Sequence, residues 1–240
     1  MWNNLRWTAS SRVGSAPAIS GSDIAGADDP DRRIARSAAS CRTPAAGAYD
    51  RLHARFLRLS GGEAETAQEA ALSMLLQPGL RMLDAGCGPA TVARRLLALE
   101  DRLDLTLLDC DPEMLTQCRD LNAPQVLGSL SNLPFADRSF DVTFAFWSVE
   151  TLPNPGEGLR ELVRVTKPGG WTAVTFCAQC SAIDWIDRCF QIAIGLRNSG
   201  RMLDPDTALE YLVTMGLTDI RHLHCRGPAR AFIGRKGIQL

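Results

Sequence analysis

Leu83-Asp84-Ala85-Gly86-Cys87-Gly88-Pro89-Ala90 is the stretch whose reading decides the fold. A short apolar run, Leu80, Met82 and Leu83, leads into it, and a helix-like stretch, Thr91 to Leu99, follows. The order is strand, tight glycine turn, helix. Glycine suits the turn because the chain bends sharply there and lets a ligand approach the backbone. Asp84, just ahead of the glycines, discriminates between ligands. A pyrophosphate on the helix N-terminus is disfavoured by a carboxylate in the same turn. A ligand that ends in an amine tolerates that carboxylate or uses it.

Outward from the turn, strand-like and helix-like segments alternate. The pattern predicts strands over Arg81–Gly86, Leu103–Asp109, Pro124–Ser129, Phe140–Trp147 and Gly170–Phe176. Helices over Thr91–Leu99, Pro112–Leu121 and Pro155–Val165 lie between them. Upstream, Leu52, Phe56 and Leu59 fall at helical spacing up to Ser60-Gly61-Gly62, and a second helix runs from Glu63 to Gln77. Downstream, a helix over Asp204–Met215 precedes two strands, Ile220–Arg226 and Arg230–Lys236. Gly227-Pro228 joins these strands so tightly that they must be antiparallel. The alternation predicts an α/β fold with a mostly parallel sheet, helices on both faces and a C-terminal antiparallel hairpin. Ligands of such sheets bind beyond the carboxyl ends of the strands.

The chain has 240 residues, enough for one sizeable core and a tail. Apolar residues at 45% and charged residues at 22% fit a soluble globular protein. A net charge of -1 gives no electrostatic reason to expect nucleic acid or an anionic membrane as partner. The absence of an eighteen-residue apolar run argues against a membrane span. The eight cysteines include Cys87, Cys110, Cys118, Cys177 and Cys189 in apolar contexts, which reads as free thiols in a reducing, cytoplasmic setting. Residues 1–45 are rich in Ser, Ala, Gly, Arg and Asp without sustained period and read as a disordered tail. Their arginines recur as in an organelle transit peptide, but Asp23, Asp28, Asp29 and Asp31 argue against one. Residues 46–240 are then the folded domain, with a core over 81–176.

Asp109 closes the second predicted strand, 21 residues after Gly88. A carboxylate there can accept from two vicinal ribose hydroxyls. Four stretches, in order, then resemble the class I S-adenosylmethionine-dependent methyltransferases, in particular the ubiquinone/menaquinone-biosynthesis-like group labelled methyltransferase type 11. They are Asp84-Ala-Gly-Cys-Gly-Pro-Ala, Asp109-Cys-Asp-Pro-Glu-Met-Leu, Gly128-Ser-Leu-Ser-Asn-Leu-Pro-Phe with Asp137-Arg-Ser-Phe-Asp, and Arg164-Val-Thr-Lys-Pro-Gly-Gly before the fifth strand. The resemblance runs from about Tyr49 to Lys236. It implies a Rossmann-like seven-stranded sheet in the order 3-2-1-4-5-7-6. It also implies S-adenosylmethionine as cofactor and a small, rather apolar acceptor.

The resemblance assigns roles by position. Gly86 and Gly88 would pass under the methionine part of the cofactor, with Asp84 near its amine. Asp109 would hold the ribose, Cys110 and Met114 would flank the adenine, and Leu130 would offer its backbone N–H to the ring. The chain around Phe146 would close the site near the methyl group, and Tyr49 would stand at its lip or else pack at a helix start. Two positions depart from the family. Ala90 replaces its third glycine, tolerable at negative φ. Ser129 replaces an adenine-binding Asp, which should weaken cofactor affinity on the order of 1 kcal/mol. Glu150 is the candidate general base, or a helix-leading acid with a structural partner.

Other features carry less. His222 and His224 share a strand face but lack a third ligand, so no metal is expected. Cys177-Ala-Gln-Cys180 reads as small apolar fillers rather than as a zinc or metalloid pair. Ala182 to Leu196 is apolar nearly all round, which suits a buried helix or the roof of an apolar acceptor pocket. Three rival readings stay open: a nicotinamide-dependent oxidoreductase, a non-catalytic adenosylmethionine-binding or regulatory module, and a methyltransferase acting on protein.

Overall fold

The computed structural model describes residues 62–178, 203–224 and 228–238, with residues 185, 188 and 192. The expected tail, the helix over 52–59, Tyr49, Cys180, Cys189 and most of 182–196 lie outside the described residues. Of the last stretch, Trp185 and Ile192 are described, and both are largely exposed rather than buried.

A single seven-stranded sheet organises the described chain, with strands β1 Arg81–Ala85, β2 Asp104–Asp109, β3 Gln125–Leu127, β4 Phe140–Phe146, β5 Thr166–Cys177, β6 Leu217–His224 and β7 Ala229–Lys236. The helices are α1 Gly62–Ser73, α2 Thr91–Leu99, α3 Pro112–Thr116, α4 Pro155–Val165 and α5 Pro205–Thr214. The strand order is β3-β2-β1-β4-β5-β7-β6, as expected. Strands β1 to β5 pair in parallel, and β7 runs antiparallel to both β5 and β6. Four of the five β1 residues are buried, as befits a central strand covered on both faces.

Several boundaries differ from the sequence reading: helix α1 ends at Ser73 rather than Gln77, and β3 covers only Gln125–Leu127 of the expected Pro124–Ser129. Helix α3 stops at Thr116 instead of Leu121, because Gln117, Cys118 and Leu121 donate to carbonyls only three residues back or fewer, tightening the chain out of α-geometry. Strand β5 begins at Thr166, so Lys167-Pro-Gly-Gly lies inside it, at an irregular register against β4. Gly170 is required there: a Cβ would stand 2.5 Å from the Asp141 carbonyl. Strand β6 starts at Leu217, three residues early. His222 and His224 straddle a shift in its pairing with β7, and the His222 ring packs edge-on against Phe232.

Two apolar clusters lie on opposite faces of the sheet. One joins Leu159, Leu162 and Val163 of α4 and Leu212 of α5 to Val174, Phe176 and Phe232. The other joins Leu72 of α1 and Val92, Ala93 and Leu96 of α2 to Phe144, Ala173 and Ile233. Helix α1 crosses β5 and β7 in layers one helical turn apart. Ala64 packs in one cluster with Cys177 and Ala229, and Leu72 in another with Ala173 and Ile233. The intervening turn sets Gln68 over Thr175 and Ala231 by register. Gln68 and Thr175 are fully buried, and among the described residues their polar side-chain atoms have no hydrogen-bond partner. Such groups cost about 1–3 kcal/mol each, so the middle of the α1 seat is its weak layer.

Polar clamps hold the sheet's margins. Arg164 donates to the carbonyls of Leu133 and Phe135 and pairs with Asp137 and Glu161. Leu133 N–H donates in turn to Glu161 at 2.7 Å. This fixes the β3–β4 connection that carries Ser129 and Leu130. At the other edge, Lys236 Nζ donates to the carbonyls of Val163, Arg164 and Thr166 at 2.6, 3.2 and 2.7 Å. It caps the C-terminus of α4, where a cation is favoured by the helix dipole. Burial lowers its pKa, and only the ammonium form has a hydrogen for each of the three carbonyls. Lys236→Met keeps the apolar stem and strands three carbonyls. The variant is expected to lose about 1–3 kcal/mol of unfolding free energy, read from urea denaturation.

Candidate functional site

The carboxyl ends of β1, β2 and β4 converge on the glycine turn. Its backbone is pinned to β2: the N–H groups of Gly86 and Cys87 both donate to the Leu108 carbonyl, at 2.7 and 3.0 Å. Gly88 N–H donates to Asp109 Oδ2 at 2.8 Å. The Gly88 carbonyl accepts from the thiols of Cys87 and Cys118, each at 3.4 Å. The Gly88 peptide is thus held at both ends.

Both glycines have positive φ, +76° at Gly86 and +52° at Gly88, but for different neighbours. A Cβ on Gly86 would lie 2.5 Å from the Ser148 Cβ. Ser148 also donates its hydroxyl to the Ala85 carbonyl at 3.0 Å. Gly86 is therefore demanded by the chain that follows β4. Gly88 has open space where its Cβ would point, so a ligand can approach that face.

Ala90 does not meet the condition set for it. Its φ is +56°, and it is the left-handed residue preceding α2, without a side-chain cap. A left-handed non-glycine residue costs about 1–2 kcal/mol. Its methyl is fully buried in the second cluster, worth about 0.8 kcal/mol. Burial offsets much of the strain, which is how alanine holds a glycine position.

Asp84 is 3% exposed, and no hydrogen-bond donor or cation among the described residues reaches its carboxylate. Burial, and then the negative charge of Asp109, push its pKa well above the ordinary carboxylate range. Asp109 is also buried, and desolvation raises it despite backbone N–H donors at Asp111 and Gly88. Its Oδ1 accepts from Asp111 N–H at 2.9 Å. The backbone N–H of Cys110 also bonds this carboxylate, and the lone pairs left over are available to a ligand hydroxyl. Asp111, 8% exposed, caps α3 by accepting from Glu113 N–H at 2.8 Å, ahead of Pro112 at the first turn.

The remaining expected residues fall around this centre. Met114 is buried in α3. Cys110 is disulfide-bonded, which corrects the reading of it as a free thiol; Cys87, Cys118 and Cys177 are free and buried. Leu130 turns its side chain to α4, where it nears Gly158, so its backbone is what can face a ligand. Ser129 is buried, with its hydroxyl 2.9 Å from that of Ser131. Phe146 is half-buried and packs edge-on to Phe144. Glu150 is buried at the ends of β4 and β5, where its Oε1 accepts from Cys177 N–H at 3.1 Å. Among the described residues no cluster could hold a metal. Tyr49 lies outside them.

Sequence reasoning missed Ser148, Trp147 and Glu65. Trp147 has φ +54° and is nearly buried. Its backbone N–H donates to Thr175 at 2.7 Å and its indole N–H to Glu65 Oε2 at 3.1 Å. Nothing in the sequence signals these contacts, since their partners lie 28 and 82 residues away.

Residues 83–174 match the family model described as a methyltransferase domain. The chain is 32% identical to a malonyl-[acyl-carrier protein] O-methyltransferase of Pectobacterium atrosepticum, over 66% of this chain and 60% of the relative. It is 32% identical to a demethylmenaquinone methyltransferase of Desulfitobacterium hafniense, over 43% of this chain and 44% of the relative. It thus spans about half the length of these curated relatives. A crystal structure of an S-adenosylmethionine-dependent methyltransferase of Thermotoga maritima superposes with a TM-score of 0.56 at 18% identity, covering 77% of this chain and 94% of that one. At that identity the likeness shows the fold alone. The expected resemblance to that family and the Rossmann-like fold are both borne out.

Gly86→Ala is expected to cost about 2–5 kcal/mol, from left-handed strain and overpacking together. Ser148→Gly in the same chain should return the overpacking part. Gly88→Ala should cost only the strain, about 1–2 kcal/mol. Urea denaturation of the four proteins separates the two glycines. Asp84→Asn is expected to raise the stability of the ligand-free protein at neutral pH. A carboxyl whose folded pKa is raised makes stability fall as pH climbs from its unfolded value, about 3.9, through the folded one. The variant's advantage should therefore grow across that window and then level off in a pH series of thermal unfolding.

Proposed function

We propose that the chain binds S-adenosylmethionine at the β1–β2 crevice and transfers its methyl group to a small, predominantly apolar acceptor. One observation carries the reading: Asp84, a buried carboxylate without a protein cation, beside a glycine turn that opens at Gly88. A phosphate-bearing dinucleotide would meet repulsion there; an amino-acid amine would supply the missing counter-charge. Asp109, tied to the turn, accepts from the ribose. Met114 and the backbone at Leu130 bracket the base, and Ser129 takes the place of the family's acid. The relatives named for malonyl-[acyl-carrier protein] and demethylmenaquinone support an acceptor with a long apolar portion.

The bound cofactor supplies an electrophilic methyl on a sulfonium, which already has a good leaving group. The protein's part is to bind, orient and exclude water. Glu150 stands on the acceptor side and is the candidate to take up an acceptor proton, while its other oxygen fastens the turn to β5. The domain we assign is 46–240, with its core over 81–176 and residues 1–45 as a tail. Among the described residues no helix is long and apolar enough to cross a membrane. Free thiols at Cys87, Cys118 and Cys177 support a cytoplasmic location, and the disulfide at Cys110 opposes it.

Calorimetric titration with S-adenosylhomocysteine tests the reading. Micromolar binding is expected, lost by at least tenfold in Asp109→Ala. Affinity should strengthen as pH rises through the Asp84 pKa, because the ammonium pairs only with the ionised carboxylate, and Asp84→Asn should abolish that slope. No binding by the folded protein would overturn the cofactor assignment. Binding without transfer to any quinol, phenol, amine or carboxylate acceptor would favour a non-catalytic module.

A further inference from the structure

We propose that Glu65 of α1 is a positioning residue for the cofactor turn, acting through Trp147 and Ser148. The inference rests on the cofactor reading above and extends it to a helix outside the motif. Glu65 is 7% exposed, unusual for a helix glutamate. Its Oε2 accepts from the Trp147 indole N–H at 3.1 Å, and its Oε1 accepts from Arg95 of α2 at 3.2 Å. Arg95 also binds Glu69, so α1 is fastened to the helix that leaves the glycine turn.

Trp147 adopts a conformation that a bulky residue avoids, φ +54°. Such strain persists only where surroundings over-determine it. Bonds from the backbone N–H to Thr175 and from the indole to Glu65 contribute here. The next residue is Ser148, whose side chain lies where a Gly86 Cβ would be and whose hydroxyl binds the Ala85 carbonyl. The bend at Trp147 thus sets Ser148 against the underside of the turn. Below Glu65, the α1 seat contains the uncompensated Gln68–Thr175 layer. The Glu65 bonds are therefore a polar fastening of this end of α1, and removing them takes away one of the restraints on the strained Trp147.

The experiment uses the full-length protein with Glu65→Ala, Glu65→Gln and Trp147→Phe, each checked for native secondary structure by circular dichroism. Hydrogen exchange of the peptide spanning 84–90, read by mass spectrometry without ligand, reports the bonded amides of Gly86, Cys87 and Gly88. S-adenosylhomocysteine calorimetry reports the site. Glu65→Ala and Trp147→Phe should each speed exchange about tenfold and weaken binding about tenfold. Together they should do no more than either alone. Glu65→Gln should restore both readouts, because its carboxamide oxygen still accepts from the indole although the Arg95 charge pair is gone. Exchange within twofold of the parent in Glu65→Ala overturns the proposal. So do additive effects in the double variant, or a Glu65→Gln protein as impaired as Glu65→Ala. If the parent fails to bind the ligand, the cofactor reading falls, and the exchange arm still decides the role of Glu65.

Discussion

Two carboxylates buried around one glycine turn set the terms for the rest of this structure. Asp109 is a structural anchor: its oxygens hold Gly88 and Asp111, joining the β1 turn to the start of α3. Asp84 is different. It contributes no described hydrogen bond, and its charge is opposed by both burial and Asp109. A fold selected for stability alone would place an apolar residue at the end of β1, as it does at Leu83 and Ala85. Retaining a carboxylate there is a local departure from good packing, and departures of this kind concentrate where a ligand completes the environment.

The backbone shows the same economy. Among the described residues four non-glycine residues have positive φ, and two of them, Ala90 and Trp147, border the turn. They are stabilised differently. Ala90 is held by burial of its methyl in an apolar cluster. Trp147 is held by hydrogen bonds to β5 and α1. Strain at Ala90 fixes where α2 begins, and strain at Trp147 fixes where Ser148 stands. Gly86 lies between the two and has room for no side chain. The floor of the site is thus built by three chain segments that constrain one another, not by the glycine motif alone.

The strands and the glycine turn were legible because they depend on local signals: apolar runs, punctuating glycines and prolines, and a carboxylate 21 residues after Gly88; the strand order came from the family resemblance. The contacts that shape the turn were not, because they are tertiary. Nothing near Ser148 marks it as the neighbour of Gly86, and nothing near Glu65 points to an indole 82 residues away. Whether Ala90 met the condition set for it was not legible, because a sequence shows the residue type but not the sign of φ. Helix α3 was drawn too long because its apolar spacing continues past Thr116, whereas the hydrogen bonds there close at three residues. Cys110 was read from its apolar context, and a disulfide depends on a partner that context does not disclose.

The acceptor side obeys a looser logic than the cofactor side. In the proposed reading, Asp84, Gly88 and Asp109 meet a fixed ligand, and the turn sets their positions. Methyl transfer from a sulfonium asks less of the acceptor site, since correct approach supplies most of what is needed. Residues there are free to serve the scaffold as well. Glu150 illustrates this: one oxygen closes the end of β5 by accepting from Cys177. A carboxylate anchored in this way is rigidly placed, and geometry is one requirement of a proton acceptor beside a matched pKa. Its structural bond and its proposed chemical role therefore support each other, because the contact that buries Glu150 also fixes where an acceptor proton would have to be delivered.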